Sequence, residues 1–332
     1  MQKILVIQTA FIGDAVLATG IVEKLHLFFP DAAIDILVRK GNESLFDEHP
    51  FLNHVWIWDK KQSKYSHLFG LLGDIHSQKF DKIINLQRFA ATGFLTAFSG
   101  AKETIGFDKN PFSALFSNKI KHTVSKTGTP IHEIERNHFL IRSFTDDTPA
   151  KPKLYPSAKN EAAISQYKTG QYICIAPASV WFTKQFPADK WISFINSVPA
   201  PVKVYLLGAP GDKNLCNDIR LQTAHNSVTD LSGQLNFLES AALMKGAVMN
   251  YVNDSAPMHF ASAVNAPVTA VYCSTIPAFG FGPLSDKSFI VETPVPLDCR
   301  PCGLHGKKTC PLGHFHCAIY IKNEQLLSTL ST

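Results

Sequence analysis

Apolar residues along this chain come in short compact runs separated by longer stretches of mixed apolar and polar positions. The first run, Lys3 to Gln8 (KILVIQ), is rich in β-branched residues and leads through a glycine-containing turn into a helical pattern over Ala15 to Phe29. This reads as strand, loop, helix. Further strands are predicted at Ala33–Val38, His54–Trp58 and Lys82–Leu86, with helix-length mixtures between them. The alternation restarts in the second half, with strands at Tyr172–Ala176, Val202–Leu207, Ala247–Asn250 and Val268–Tyr272 and helices over Leu238–Lys245 and Ala256–Val264. Strands alternating with helices predict an α/β class with parallel sheets wound on both faces.

Between the halves, TDDTPAKPKLYPSAKNE (Thr145 to Glu161) carries Pro149, Pro152 and Pro156 in a polar background without periodicity. It predicts a first domain over 1–150, a linker over 151–160 and a second domain over 161–332. The 332 residues support that division, because a single core rarely grows past about 250–300 residues. Two doubly wound, Rossmann-like domains would face a central cleft at the carboxyl ends of their strands, where open α/β sheets place ligands. No internal repeat is visible.

Composition alters little in this picture. Hydrophobic residues at 45% and charged residues at 18% are ordinary for globular chains. The apolar run at the N-terminus is too short for a secretory segment, which needs roughly 7–15 apolar residues, and no stretch reaches the roughly 20 of a spanning helix. A cytoplasmic location is expected, with any contact at a membrane surface peripheral. The net charge of +5 divides as 20 Lys+Arg against 16 Asp+Glu up to residue 160 and 12 against 11 after it. That surplus suits an acidic acceptor or an anionic membrane approaching the first domain, and gives no reason to expect nucleic acid.

Three segments carry candidate chemistry. Gly13 and Asp14 lie where the first strand turns into its helix; Gly13 would let the backbone turn beside a ligand, and Asp14 would face the cleft or serve as an N-cap. Asn253-Asp254-Ser255-Ala256-Pro257-Met258-His259 follows an apolar run. There Asp254 or Ser255 can cap a helix whose free N–H groups would meet a phosphate. Ala176-Pro177-Ala178-Ser179 ends a strand and leads to Lys184, a point charge suited to a leaving diphosphate.

Four segments in order, IGDAVLATG, the K-x-x-P-x-x-K-W stretch at Lys184–Trp191, LSGQLNFLESAALMKGA and NDSAPMHFASAVNAPV, resemble the lipopolysaccharide heptosyltransferases of glycosyltransferase family nine. The resemblance implies two Rossmann-like domains of the GT-B architecture, an ADP-heptose donor and inversion at the anomeric centre, with no cofactor or catalytic metal required. It also implies roles by position. Asp14 matches the general base, Lys184 the lysine on the donor phosphates, Asp254, Ser255, Met258 and His259 the nucleotide-holding loop and helix start, Ser179 a hydroxyl near them, and Asp212 an acidic residue at the ribose. Ala256 and Pro257 depart from the family's usual glycine and bulky apolar residue, and Pro257 removes one N–H from the phosphate cradle.

On the acceptor side, Lys60, Lys64 and Arg88 follow predicted strands of the first domain and would meet anionic groups of an inner-core lipopolysaccharide, the acidic acceptor that the resemblance implies. Cys299, Cys302, Cys310 and Cys317, interleaved with histidines, have the density of a structural zinc site, but they also resemble the cysteine-rich tail common in the family, and free or redox-sensitive thiols are the preferred expectation over zinc. Two other functional readings remain: a transferase of the same build using another sugar nucleotide, and a non-catalytic nucleotide-sugar-binding protein. A Rossmann dehydrogenase is disfavoured, since no G-x-G-x-x-G follows the first strand.

Overall fold

The computed structural model describes residues 1–61, 64–126 and 128–330. The chain divides into two compact units, Met1–Tyr155 and Pro156–Thr332. In the first, strands β1 (Lys3–Gln8), β2 (Ala33–Arg39), β3 (Leu52–Trp58), β4 (Lys82–Asn85), β5 (Glu103–Phe107) and β6 (Asn118–Ile120) form one sheet in the order β3-β2-β1-β4-β5-β6, and a short hairpin follows, β7 (Ser125–Lys126) and β8 (Thr129–Pro130). All five pairings in the sheet are parallel. A parallel strand covered on both faces needs no alternation, and Ile4, Leu5, Val6 and Ile7 are accordingly all at 0% exposure.

Four helices accompany this sheet: α1 (Ile12–Phe28), α2 (Lys64–Gln78), α3 (Ala90–Phe98) and α4 (Glu133–His138). α2 and α3 close one core, in which Leu68, Leu71, Ile75 and Leu95 meet Leu5, Ile7, Leu37 and Ile83. α1 packs against α4. Helix α1 begins three residues earlier than its periodicity predicts, with Phe11 at the N-cap position. Gly13 and Asp14 therefore sit in the first helical turn and not in a loop, and Asp14 is not the cap.

The stretch predicted as a linker over 151–160 is largely ordered into the units on either side of it. A Cβ at Gly20 would lie 2.6 Å from the Ala150 carbonyl oxygen, so the glycine lets this stretch lie on α1. Lys153 N–H donates to Thr19 Oγ1 at 2.8 Å, and the Tyr155 hydroxyl donates to Glu23 at 2.7 Å. Ser157 then opens the first helix of the second unit, with its N–H donating to Asn160 Oδ1.

The second unit repeats the topology. Strands β9 (Tyr172–Ala176), β10 (Lys203–Leu206), β11 (Val228–Asp230), β12 (Met249–Asn253), β13 (Val268–Tyr272) and β14 (Ser288–Glu292) lie in the order β11-β10-β9-β12-β13-β14, again parallel throughout. Its helices are α5 (Ala158–Ile164), α6 (Ala188–Asn196), α7 (Lys213–Gln222), α8 (Phe237–Lys245), α9 (Ala256–Ala263), α10 (His316–Ile319) and α11 (Asn323–Leu330). Phe186, Trp191, Phe194 and Tyr251 build an aromatic core that Ala318 of α10, Ile321 in the turn after it and Leu326 of α11 complete. β12 runs two to three residues later than predicted, because Tyr251 and Val252 take the register opposite Ile175 and Ala176 of β9. In both sheets the chain order reverses beside the first strand, between β1 and β4 and between β9 and β12. Ligands of open α/β sheets bind at such switch points.

Candidate functional site

At the switch point of the second unit, a buried asparagine joins two loops. Asn253, at the end of β12 and 0% exposed, accepts from Phe186 N–H at 2.9 Å and donates from Nδ2 to the Pro177 carbonyl at 2.7 Å. The loop after β9 is thereby folded back over its own strand. Gln185 Nε2 adds a bond to the Ser179 carbonyl at 2.6 Å, and Phe182–Lys184 forms a 3-10 turn. The turn presents Lys184 to Asp254, with Nζ 2.8 Å from Oδ2 and the two side chains only 16% and 10% exposed. Thr275, after β13, donates its hydroxyl to the same Asp254 oxygen at 2.7 Å. Helix α9 starts directly after, with Ser255 at its N-cap and no side-chain cap bond there; Pro257 has no N–H and the Met258 N–H donates to the Ser255 carbonyl at 3.1 Å, so the Ala256 amide is the first-turn donor that can face an anion.

The cysteine-rich segment buttresses this turn from behind. Thr183 N–H donates to the Lys307 carbonyl, Lys307 N–H donates to Thr183 Oγ1, and Ser274 Oγ donates to the same hydroxyl at 3.0 Å. Gly306, with φ of +75°, lies against the Lys184 stem; a Cβ there would be 2.9 Å from Lys184 Cγ. Arg300 lashes the segment to the end of β13 through the Cys273 carbonyl at 2.7 Å and the Thr275 carbonyl at 2.7 Å, and its charge meets Glu292.

A zinc site is not what the four cysteines build. Among the described residues, no group of three or more His, Cys, Asp or Glu is arranged to hold a metal ion. Cys317 is buried in the core at the start of α10, where burial pushes its thiol up to about 11, and the Cys302 thiol turns to the Cys299 carbonyl at 3.3 Å. All seven cysteines are free thiols. Cys174, Cys216 and Cys273 are small core residues as expected, at most 1% exposed.

Other predicted donor residues fall in different places. Met258 is at 0% exposure and accepts from the Tyr272 hydroxyl, so its side chain belongs to the core and not to a ligand. His259, on the same helix, is 5% exposed. Asp212 spends one carboxylate oxygen on the Ala209 N–H at 2.8 Å, stabilising the turn after β10 that contains it. Thr183, Thr275, Gly306 and Arg300 were not singled out by sequence reasoning. Only the position of Thr275, three residues beyond an apolar run, offered a signal.

In the first unit the loops after β1, β3 and β4 likewise interlock at the carboxyl edge. Thr9 Oγ1 donates to Gln87 Oε1 at 2.6 Å across the switch point. Lys60 donates to the Thr9 carbonyl at 2.6 Å and lies 4.6 Å from the Trp58 ring, so its charge pins the loop that leads to Asp14. Asp14 is half-buried in the first turn of α1, where the positive end of the helix dipole favours a carboxylate. Arg88 is exposed beyond β4, and the side chain of Lys64 lies outside the described residues. The charge of Arg88 reaches His122 and Glu133: burial, with Arg88 and Arg136, lowers His122 to about 4, whereas burial raises Glu133 against the pull of its Arg136 partner. His132 and Glu135 form the capping box of α4, with His132 N–H donating to Glu135 at 2.7 Å and Ile134 N–H donating to His132 Nδ1 at 3.3 Å.

Two switch points furnished with charged side chains suit an enzyme that handles a nucleotide diphosphate and a nucleophile, and comparison with known proteins decides the class. Glycosyltransferase family 9 (heptosyltransferase) matches residues 69–316. The chain belongs to this family. Among its relatives, lipopolysaccharide heptosyltransferase 3 of Escherichia coli is 27% identical over 279 residues, 80% of this chain and 82% of that protein. Among solved structures, a family 9 glycosyltransferase from Veillonella parvula superposes with a TM-score of 0.87 at 20% identity, covering 99% of this chain and 96% of the other. The E. coli ADP-heptose lps heptosyltransferase II superposes with a TM-score of 0.77 at 19% identity over 99% of both chains. The protein is thus a glycosyltransferase built of two Rossmann-like units of the GT-B class. Among the described residues no helix is long and apolar enough to cross a membrane.

Proposed function

We propose that this glycosyltransferase moves heptose from ADP-heptose to the inner core of lipopolysaccharide, with inversion at the anomeric carbon and Asp14 as the general base. The reading is carried by one observation: each switch point bears the charge its half of the reaction needs, a carboxylate in the first unit and a lysine beside a helix amide in the second. The name of the E. coli relative supplies the donor.

In this mechanism an acceptor hydroxyl gives its proton to Asp14 as its oxygen attacks the anomeric carbon, and the bond from that carbon to the diphosphate breaks in line. Lys184 and the Ala256 amide at the start of α9 receive the charge that grows on the departing ADP. Asp254 would repel a diphosphate, so its part is to hold Lys184, helped by Thr275, while Ser255 and Ser179 border the phosphates and Asp212 stands near the ribose. Gly13 leaves room beside the base. Arg88, with Lys60 and Lys64, meets the anionic acceptor. The chemistry requires no group besides the donor, and the enzyme works in the cytoplasm, held peripherally at the inner membrane.

Isothermal titration of ADP, UDP and GDP, followed by transfer from the matching sugar nucleotide to a truncated lipopolysaccharide, tests the reading. ADP preference, and at least about a hundredfold loss of turnover in Asp14→Asn with unchanged folding, is expected. Preference for UDP or GDP overturns the donor, and near-normal turnover of Asp14→Asn overturns the base.

A further inference from the structure

The inward sides of α2 and α3 are spent in the core of the first unit, yet their outer sides also present aromatic rings among exposed polar residues such as Ser66 and Asp74. Tyr65 and Phe69, one helical turn apart on α2, are 69% and 60% exposed, and Phe98 on α3 is 48% exposed. The rings join into one surface. Phe69 lies 5.6 Å from Phe94, Phe94 lies 5.1 Å from Phe98, and Phe112, in the loop after β5, is 6.1 Å from both Phe94 and Phe98. Leu115, in a turn that packs against α3, is 57% exposed. A surface helix ordinarily turns charged and polar residues outward, and a contiguous exposed apolar patch marks an interaction surface.

Charge selects the partner. Residues 60–126, which contain the whole patch, carry 11 Lys+Arg and 4 Asp+Glu, a surplus of +7, against +5 for the full chain, which leaves −2 for the rest. Lys109, Lys119 and Lys121 on this segment are exposed. A second copy docking through the same segment would bring two segments of like net charge together. An anionic bilayer accepts both features, because aromatic rings settle at headgroup level and basic residues are drawn to acidic lipid within a Debye length.

We propose that the α2–α3 face docks on a bilayer carrying anionic phospholipid, with Phe69 and Phe98 entering the interfacial layer and exposed lysines of the same segment, Lys109 and Lys119 among them, meeting headgroup phosphates. The N-terminal ends of both helices stand at the carboxyl edge of the sheet, the edge that also holds Asp14. The inference rests on the transfer reading only in that a lipid-linked acceptor gives docking its purpose.

The test is co-sedimentation of the full chain with vesicles of phosphatidylethanolamine and phosphatidylglycerol, and with phosphatidylcholine alone. Binding to the anionic vesicles is expected, weakened by added salt and roughly tenfold by Phe69→Ser with Phe98→Ser. Lys109→Glu with Lys119→Glu weakens it similarly, while Phe69→Tyr with Phe98→Trp retains it. These side chains are exposed, so thermal midpoints should hold, and the lysine pair gives a second reading should the serine pair not fold. No binding by the native chain, or binding by both the serine pair and the glutamate pair as tight as the native chain's, overturns the proposal. So does a dimer in sedimentation velocity that the serine pair dissolves while no vesicles are bound. Neither donor nor acceptor is present, so failure here leaves the transfer reading standing, and loss of transfer with intact vesicle binding does the reverse.

Discussion

Replacing Asn253 with alanine removes a fully buried side chain that ties the loop after β9 to the end of β12. Two backbone groups lose their partner, the Phe186 N–H and the Pro177 carbonyl. A buried polar group left unsatisfied costs about 1–3 kcal/mol, so the pair costs between about 2 and 6. The loop lies near the surface and can turn partly to water, which places the expectation near the lower end, about 3 kcal/mol. For a unit of this size that lowers the thermal midpoint by roughly 6–12 °C. The same loop carries Lys184, so ADP affinity should fall at least about tenfold, the equivalent of about 1.4 kcal/mol. Asn253→Asp keeps an acceptor for Phe186 but sets a carboxylate against the Pro177 carbonyl, and should be no milder. Urea unfolding of both variants, paired with titration of ADP, measures the two effects. A loss below about 0.5 kcal/mol would refute the hydrogen-bond argument, which rests on an effect several times larger. The full loss of stability with unchanged ADP affinity would show that the tie does not position the lysine.

Lys184→Met should weaken ADP binding at least about tenfold in titration and lower stability by roughly 1–3 kcal/mol, between the values for exposed and buried pairs, because Asp254 is left without its cation. Gly306→Ala forces a left-handed residue to carry a Cβ 2.9 Å from Lys184 Cγ; about 1–2 kcal/mol of destabilisation in urea is expected, with a larger loss of transfer. His49, buried among Phe51 and Tyr155, is held by burial at about 4. The unfolded chain takes up this proton near 6.5, so its excess proton binding between pH about 6.5 and 4 makes stability fall as pH falls through that window. The contribution by pH 5 is on the order of 2 kcal/mol, and His49→Gln should flatten the urea midpoint against pH.

The central strands were legible because a parallel strand buried on both faces is written as a mostly apolar run. Tyr172–Ala176 and Val268–Tyr272 were placed to the residue for that reason. Short edge strands such as β6, with the pattern Asn-Lys-Ile, carry no such mark. At the site, both Lys184 and Asp254 could be picked from their positions after strands. Their pairing depends on the register of β9 against β12, which no local pattern encodes. Met258 shows the opposite failure: its place in a helix start suggested a ligand contact, while helix phase turned its side chain inward. Cysteine density suggested a metal, and the four thiols do lie near enough to act on one another, but among the described residues they are not arranged to hold an ion.

The turn that presents Lys184 leans on residues translated long after it. A nascent chain that has emerged as far as Tyr272 already holds β9 through β13 and can begin to assemble the second sheet. It still lacks the Lys307 carbonyl for Thr183, the Gly306 backing for Lys184, and the Ile321 and Leu326 side chains that close the core. A premature stop codon between those points therefore yields a product whose sheet can form but whose core stays open, a ready target for chaperones and proteases.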